Sequence, residues 1–130
     1  PLPRLTTVGG IPLTELMDAE TIEAISKRTR AAGTEIVKLL GNGSAFFSPA
    51  ASAIEMANSY LLDKKRVLPV AALLEGEYGI NNYYLGVPAV IGAGGVEKII
   101  EVKLNDDEQA LLQVSLDAVK GAIVDVDERI

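Results

Sequence analysis

The apolar pattern at the start of the chain predicts short extended segments and then a long amphipathic helix. Residues 5–13 contain threonine and valine and are interrupted by glycines and a proline, which is typical of short strands around a bend. Asp18 is predicted to cap the helix, with Glu20 in the first turn. Gly33 costs about 1 kcal/mol relative to alanine inside a helix, which predicts a kink or a second helix starting near Thr34. The helical stripe recurs at steps of three and four residues, at Ile22, Ile25, Thr29, Ala32, Ile36 and Leu40.

A second helix is predicted over residues 46–63, after a left-handed stop at Gly41-Asn42-Gly43. Small side chains surround its apolar stripe, so it is interpreted either as a tightly packed helix or as a surface that a flat ligand can approach. The basic run Lys64-Lys65-Arg66 is predicted to be a solvated helix end at the negative pole of the dipole. The stripe consists of Phe47, Ala50, Ile54, Ala57 and Leu61.

The hydrophobic period then changes to that of strands. Three apolar or alternating runs, over residues 67–74, 83–91 and 96–104, are separated by glycine-containing turns. They predict an antiparallel meander. Pro69 and Pro88 lie inside the runs, and because proline cannot donate to a ladder they predict edge positions or bulges.

A closing helix is predicted after the meander. Asn105 and Glu108 have the spacing of a capping box. The order of helices, meander and closing helix predicts an α+β fold in which helices pack on an antiparallel sheet. With 130 residues, the chain is expected to form one domain, 1–130. The apolar positions of the closing helix are Leu112, Val119, Ala122 and Val126.

Composition narrows the choice of partners. The chain is 48% hydrophobic with a mean hydropathy of +0.25, which predicts that some apolar surface faces a partner. The net charge of −6 and the pI of about 4.6 oppose binding to nucleic acid or to an anionic membrane. A small metabolite or another protein is therefore the expected ligand.

Missing residue types exclude several kinds of chemistry. The chain contains no cysteine and no histidine, which rules out disulfides, thiolate chemistry, a zinc site and a histidine-based acid/base pair within it. No apolar run approaches the roughly 20 residues needed to span a bilayer. Pro1 begins the sequence without the layout of a secretory signal, and the first methionine is Met17. We expect a cytoplasmic protein and a chain that is a fragment or a processed product.

Three groups of residues suggest chemistry, and each has a simpler interpretation. Gly92-Ala93-Gly94-Gly95 is followed by a strand instead of a helix, so a turn is favoured over a phosphate cradle. Glu75 and Glu77 are interpreted as a solvent-facing rim more readily than as a catalytic pair. Ser44, Ser48 and Ser52 have no histidine to activate them, and no motif supports Ser-Lys chemistry with Lys64 or Lys65. The residues therefore predict half of a site or an interface, without a complete catalytic apparatus.

Four ordered segments resemble the bacterial NAD-dependent malate dehydrogenases of the lactate-dehydrogenase-like type, within the lactate/malate dehydrogenase family. The resemblance covers essentially the whole chain and implies its C-terminal, substrate-side domain. Where this chain has Ser44-Ala45-Phe46-Phe47, the lactate dehydrogenases of the family have a pattern similar to Tyr-Thr-Ser-Trp. The resemblance therefore favours malate over lactate as the substrate. The segments are PLPRLTTVGGIPL from Pro1, RTRAAGTEIVK from Arg28, GSAFFSPAAS from Gly43 and YLGVPAVIGAGGV from Tyr84.

The resemblance also implies which parts of the site lie elsewhere. The family's catalytic histidine belongs to a His-Gly-Asp stretch upstream of the position matched by Pro1, so no catalytic residue is assigned in this chain. The dinucleotide fingerprint and the substrate-binding arginines lie further upstream, in an N-terminal Rossmann domain that binds most of the NAD. Ala45 and Pro49 match positions that face the substrate and the nicotinamide. With Ser44 and Ser48 they form the predicted pocket wall.

The activity implied by the resemblance is hydride transfer between (S)-malate and oxaloacetate with NAD, a step of the tricarboxylic acid cycle. The implied partners are the N-terminal Rossmann half and further copies of the chain in a homo-dimer or tetramer. This chain alone is expected to be inactive. A stand-alone, non-catalytic module that self-associates through the second helix is the alternative.

Overall fold

The computed structural model describes residues 1–129 and divides the chain into two units, Pro1–Ala50 and the residues from Ala51 onward. The first unit starts with a 3-10 turn, Pro3–Leu5, and a hairpin of β1 (Thr7–Val8) and β2 (Ile11–Pro12). Both glycines between the two strands have positive φ, which a tight turn requires. The predicted extended segments around a bend are confirmed. The short helix α1 (Leu13–Leu16) follows.

Helix α2 (Ala19–Leu40) is a single continuous helix, so the kink or break predicted near Gly33 is wrong. Arg28 and Glu35 lie two turns apart on one face and form a bidentate pair across the glycine, with N–O distances of 3.1 and 2.8 Å. This pair reinforces the helix where glycine weakens it. The helix ends at Leu40, and its C-cap Gly41 has the positive φ, +69, of the predicted glycine stop.

Asp18 caps α2 as predicted and makes stability depend on pH. Its carboxylate accepts hydrogen bonds from the Thr21 amide and hydroxyl, which lower the Asp18 pKa from its ordinary value of 3.8. A depressed folded-state pKa contributes stability above the unfolded pKa, and this contribution is lost as pH falls through the folded pKa. We expect wild type to exceed Asp18→Asn in unfolding free energy at neutral pH, and the difference to shrink as pH falls below 3.8 toward the lowered pKa of Asp18 in the folded state. Urea titrations over this range measure it, and a constant difference would contradict the assignment.

Helix α3 (Phe47–Leu61) is shorter at both ends than the predicted span of residues 46–63. Asp63 and Lys65 have φ of +45 and +50, so the chain has left the helix before the basic run. The basic run is also not merely a solvated helix end. Lys65 Nζ lies 3.3 Å from a Glu97 carboxylate oxygen, and Arg66 pairs with Glu55 at 2.7 Å.

The predicted meander is confirmed in the second unit. Strands β3 (Arg66–Glu75), β4 (Asn81–Gly92) and β5 (Gly95–Ile99) form one antiparallel sheet in the order β3-β4-β5. Residues of β3 alternate between exposed and buried, as a half-buried strand requires. The buried face forms the core with Leu116 of the closing helix. Its strand members are Leu68, Val70, Ala72, Leu74, Leu85, Val87, Ala89 and Ile91.

Two prolines stand opposite each other in this sheet. Pro69 of β3 pairs with Pro88 of β4, and the Pro88 carbonyl accepts from the Ile100 amide at 2.8 Å, on the β5 side. Pro88 therefore turns away from β3, and Pro69 turns toward the free edge, so neither missing N–H removes a bond between β3 and β4. The predicted edge position is confirmed for Pro69. It is wrong for Pro88, which lies in the central strand.

Helix α4 (Asp106–Asp127) closes the described chain. The predicted capping box is present, with the Glu108 amide donating to the Asn105 side chain and the Glu108 carboxylate accepting from the Asn105 amide. Leu112 and Val119 pack against the core as predicted, whereas Ala122 and Val126 are exposed. The third strand ends at Ile99 and not at residue 104. The α+β class is confirmed, and the single domain of residues 1–130 stays a prediction.

Candidate functional site

The predicted pocket wall is built by the loop between α2 and α3 and by the first turn of α3. Ser44 and Ala45 lie in the loop, and Ser48 and Pro49 follow the first residue of the helix. All four belong to the first unit. The structure thus places the predicted residues on one continuous stretch of backbone, and their role as a pocket wall stays a prediction.

Most residues of the predicted pocket wall are exposed to solvent. Ala45 is half-buried, whereas Ser44, Ser48 and Pro49 are exposed. Within residues 1–129, neither serine hydroxyl has a hydrogen-bonding partner, so both remain available to a ligand or to water. Proline is tolerated at this point because first-turn amides have no partner inside the helix, and the helical bonding starts with the Ala50 amide on the Phe46 carbonyl at 3.0 Å.

No ionisable side chain occurs between Lys38 and Glu55. The wall therefore cannot donate or accept a proton in a reaction near neutral pH, and it cannot neutralise a charged substrate. What it supplies is shape, two hydroxyls and a surface of low polarity. A reaction at this wall needs its acid, its base and its cations from other parts of the protein.

Two phenylalanines stand beside the wall. The ring centroids of Phe46 and Phe47 lie 4.8 Å apart at an interplanar angle of 47°. Phe46 is 55% exposed and Phe47 is 81% exposed. Along α3, Ile54 and Leu61 continue the stripe of Phe47 at seven-residue steps and are also exposed. This apolar face of α3, defined by Phe47, Ile54 and Leu61, is uncovered in the described chain and is the kind of surface that a partner buries.

Gly92-Ala93-Gly94-Gly95 forms the turn between β4 and β5, as predicted. Two carboxylates hold it: Asp63 accepts from the Ala93 amide at 2.9 Å, and Glu97 accepts from the Gly94 amide at 3.3 Å. A side chain at Gly92 would collide with both carboxylates, which explains the glycine. Because acidic groups occupy these amides, the turn cannot receive the phosphates of a nucleotide.

Glu75 and Glu77 lie where β3 ends and the next turn begins. Glu75 ends β3, and Glu77 lies in the following 3-10 turn, where its carboxylate accepts from the Glu75 amide at 2.8 Å. That hydrogen bond lowers the pKa of Glu77, which stays charged near neutral pH. The two carboxylates thus belong to a turn at the sheet edge, in agreement with the interpretation as a rim.

Sequence reasoning missed two polar side chains that organise the second unit. Ser59 is fully buried, and its hydroxyl donates to the Ile91 carbonyl at 2.7 Å and accepts from the Arg66 amide. It therefore joins α3 to the first pair of the β3–β4 ladder. The Tyr78 hydroxyl donates to the Ile100 carbonyl and accepts from the Val102 amide. The bonds of Ser59 to Ile91 and of Tyr78 to Ile100 and Val102 each span more than twenty residues, and no local pattern signals them.

Neither a metal site nor a membrane-spanning helix occurs among the described residues. No cluster of acidic side chains there can hold a metal ion. No helix among residues 1–129 has the length and apolarity needed to cross a membrane. On α2, a shallow groove contains the Arg28–Glu35 pair, in which the guanidinium lowers the pKa of Glu35. The two charges of the groove satisfy each other, so it offers no free charge to a ligand.

Sequence comparison assigns almost the whole chain to one family model. Residues 4–130 match the model described as lactate/malate dehydrogenase, alpha/beta C-terminal domain. The chain is 60% identical to malate dehydrogenase 1 of Anaeromyxobacter dehalogenans over 125 residues, which is 96% of this chain and 40% of that protein. It is 61% identical to malate dehydrogenase of Myxococcus xanthus over 123 residues, or 95% of this chain and 39% of that one.

Solved structures show the same fold. Malate dehydrogenase from Salinibacter ruber superposes with a TM-score of 0.95 at 50% identity, covering 98% of this chain and 42% of that chain. Lactate dehydrogenase from Eimeria maxima, solved with NADH and oxamate, superposes with a TM-score of 0.90 at 47% identity, with the same coverage. The chain thus spans about two fifths of the length of the relatives that it matches.

Proposed function

Because the chain belongs to the lactate/malate dehydrogenase family and matches its alpha/beta C-terminal domain, we propose that it forms the substrate-side wall of an NAD-dependent malate dehydrogenase. The proposed reaction interconverts (S)-malate and oxaloacetate by hydride transfer. The observation that carries the proposal is the identity of 60% with a malate dehydrogenase over 96% of the chain. The non-catalytic module, the alternative, would use the same apolar face of α3 but does not account for this identity.

The wall fits one side of a nicotinamide site. Its small residues, the exposed Ser44, Ser48 and Pro49 and the half-buried Ala45, leave room for a flat ring and a short dicarboxylate. NAD, when bound, supplies the acceptor for the hydride. The Gly92–Gly95 turn is occupied by Asp63 and Glu97, so the pyrophosphate must be held by another domain. The relative solved with NADH and oxamate supports a nicotinamide cofactor. We infer that an N-terminal Rossmann half holds most of the NAD.

The four residues of the wall have different roles in the proposed reaction. Ala45 sets the space beside the reacting carbon, and Pro49 presents a rigid apolar surface that limits water. The hydroxyls of Ser44 and Ser48 can donate hydrogen bonds to substrate oxygens. Since the stretch between Lys38 and Glu55 has no ionisable group, the proton of the malate hydroxyl must go to a base outside it.

The proposal predicts a large kinetic effect from a bulky side chain at Ala45. In the full-length protein, Ala45→Leu should overfill the wall and lower kcat/KM for oxaloacetate by an amount equivalent to about 1–3 kcal/mol. Ala118→Leu, the same change at an exposed position of α4, should leave kcat/KM near wild type. Steady-state kinetics measure both, and thermal unfolding checks that both variants fold. Unchanged kinetics in Ala45→Leu would remove this residue from the pocket.

We also predict association through the apolar face of α3. Phe47, Ile54 and Leu61 are 81%, 61% and 73% exposed and span about 20 Å of helix. The chain should therefore associate with itself or with its N-terminal half, in line with the expected dimer or tetramer. Sedimentation at rising concentration should show association, and Ile54→Asp should weaken it. Val114→Asp, at an exposed site of α4, is the control. A concentration-independent wild-type monomer that also fails to bind the other half would contradict the prediction.

Three further expectations stay predictions. The cytoplasmic location and the lack of nucleic-acid and membrane partners rest on composition and charge alone. The preference for malate over lactate rests on the Ser44-Ala45-Phe46-Phe47 pattern and on relatives such as the two malate dehydrogenases above. Comparing kcat/KM for oxaloacetate and pyruvate in the full-length protein tests that preference directly.

A further inference from the structure

The loop between α2 and α3 contains the sequence Asn42-Gly43. Both residues are exposed and lie outside helix and strand. The Asn42 amide donates to the Leu40 carbonyl at 2.8 Å, which fixes the start of the loop. Within residues 1–129, the Gly43 amide donates to no group, so its nitrogen is open to solvent.

This arrangement favours attack of the backbone on the asparagine side chain. Asparagine is a chemically labile residue, and the rate of its loss depends on how freely the next backbone nitrogen reaches the side-chain carbonyl carbon. A side chain on the following residue obstructs that approach, and glycine has none. Gly43 has a φ of +127, and a Cβ built there meets nothing within 4 Å, so the surroundings leave the loop free to adopt the reactive geometry.

The other asparagines are protected. Asn58 precedes Ser59 inside α3, where backbone amides are engaged in the helix. The Asn105 side chain accepts from the Glu108 amide as the cap of α4. Asn81 and Asn82 lie in β4, and the residues that follow them carry side chains. Within the part of the chain that the structure describes, only Asn42 combines a following glycine, exposure and a free neighbouring amide.

We propose that Asn42 is a site of spontaneous deamidation and isomerisation. The Gly43 nitrogen loses its proton to solvent base and bonds to the Asn42 Cγ, and the bond from Cγ to the side-chain nitrogen breaks, so that ammonia leaves. Water then opens the resulting succinimide at either carbonyl. The products are aspartate or isoaspartate at position 42, and no oxidant or reductant is needed.

The modification changes the wall beside it. Aspartate at position 42 places a carboxylate in the loop, within a stretch that has no ionisable group between Lys38 and Glu55. Isoaspartate also adds a backbone carbon two residues before Ser44. In the dehydrogenase proposed above, the new charge would stand close to the wall that faces a dicarboxylate, and it would disfavour that substrate electrostatically. The modification itself does not depend on that proposed function.

Peptide mass spectrometry of the aged full-length protein tests the proposal without any activity measurement. After incubation at mildly alkaline pH and a short digestion at slightly acidic pH, the tryptic peptide of residues 39–64 should gain about one mass unit at position 42. Isoaspartate should accompany aspartate, as detected by isoaspartyl methyltransferase labelling. Asn58 in the same peptide should remain intact and serves as the internal reference.

Asn42→Gln is the matched variant, since it keeps the amide but forms the required ring far more slowly. Gly43→Ala is less suitable because the φ of +127 would strain alanine. A synthetic peptide of residues 39–64 provides the rate for an unfolded chain. We expect the folded wild type to convert over the same incubation times as the peptide and Asn42→Gln to stay unchanged. An intact Asn42 in the folded protein after full conversion of the peptide, or earlier loss of Asn58, would overturn the proposal.

Discussion

No NADH oxidation in the presence of oxaloacetate is expected from the 130-residue chain alone. Hydride transfer needs a bound nicotinamide, a proton donor or acceptor that titrates near working pH, and cations on the substrate carboxylates. The chain has no histidine, and the wall from Ser44 to Pro49 has no ionisable side chain. The Gly92–Gly95 turn is blocked for phosphates by Asp63 and Glu97. We therefore expect the chain alone to have no malate dehydrogenase activity, and not merely a reduced one.

The measurement is the absorbance of NADH with the chain purified from a host that lacks its own malate dehydrogenase. Adding the separately produced N-terminal half of a close relative is the positive arm, and it should restore some turnover if both halves fold and associate. An inactive host extract carried through the same purification controls for contamination. Turnover by the pure chain would contradict the proposal that the catalytic base and most of the NAD site belong to the N-terminal half.

Leu74→Ala should lower the free energy of unfolding by about 2–5 kcal/mol. Leu74 is fully buried on the core face of β3, so its truncation removes apolar contacts and leaves a cavity among packed strand residues. Its neighbour Leu73 points to the opposite face of the same strand and is 38% exposed. Leu73→Ala should cost about 1 kcal/mol or less, because much of its surface already meets water.

Urea unfolding of both variants and of wild type measures this contrast. The pair is matched in residue type, strand and sequence position, so propensity and unfolded-state effects nearly cancel. Equal losses in the two variants would contradict the assignment of the core to one face of the β3–β4 hairpin. A larger loss at Leu73 would mean that the opposite face is the better covered one in solution.

Local signals predicted the element types well. Asp18 and Asn105 cap α2 and α4 where the sequence indicated, because a cap depends on a side chain and on amides only three residues away. The alternation along β3 and the glycine-rich turn after β4 predicted the meander for the same reason. Each of these features is encoded within a few neighbouring residues.

The ends of helices and strands, and the places where local rules fail, depend on contacts that a short stretch of sequence does not contain. The break expected at Gly33 is absent, and the pair of Arg28 with Glu35 spans the weak point of α2. Helix propensity alone does not include the stabilisation that this side-chain pair adds. The third strand stops at Ile99 although apolar alternation continues to residue 104, because pairing to β4 ends there. Pro88 is tolerated in the central strand because its nitrogen, which has no hydrogen to donate, faces the β5 side at the point where the hydrogen bonding between the two segments ends.

The sequence predicted which positions belong to the candidate site, but it did not predict how they are arranged or exposed. The family resemblance selected Ser44, Ala45, Ser48 and Pro49, and the structure places them on one loop and helix turn. The exposure of the adjacent Phe46 and Phe47 was not predicted, because a stripe in a sequence does not reveal which neighbour covers it. Nor did any pattern point to the buried hydroxyl of Ser59, which acts on a residue 32 positions away.

The opposed prolines also protect the sheet from unwanted growth. A ten-residue edge strand such as β3 is a template on which a strand of another molecule can add, the first step of edge-to-edge aggregation. Pro69 turns its donorless nitrogen to that free edge near the middle of the template. An incoming strand therefore meets a gap in the row of donors and the bulk of a rigid ring. The hairpin keeps its own ladder intact while its outer edge resists recruitment into fibrils.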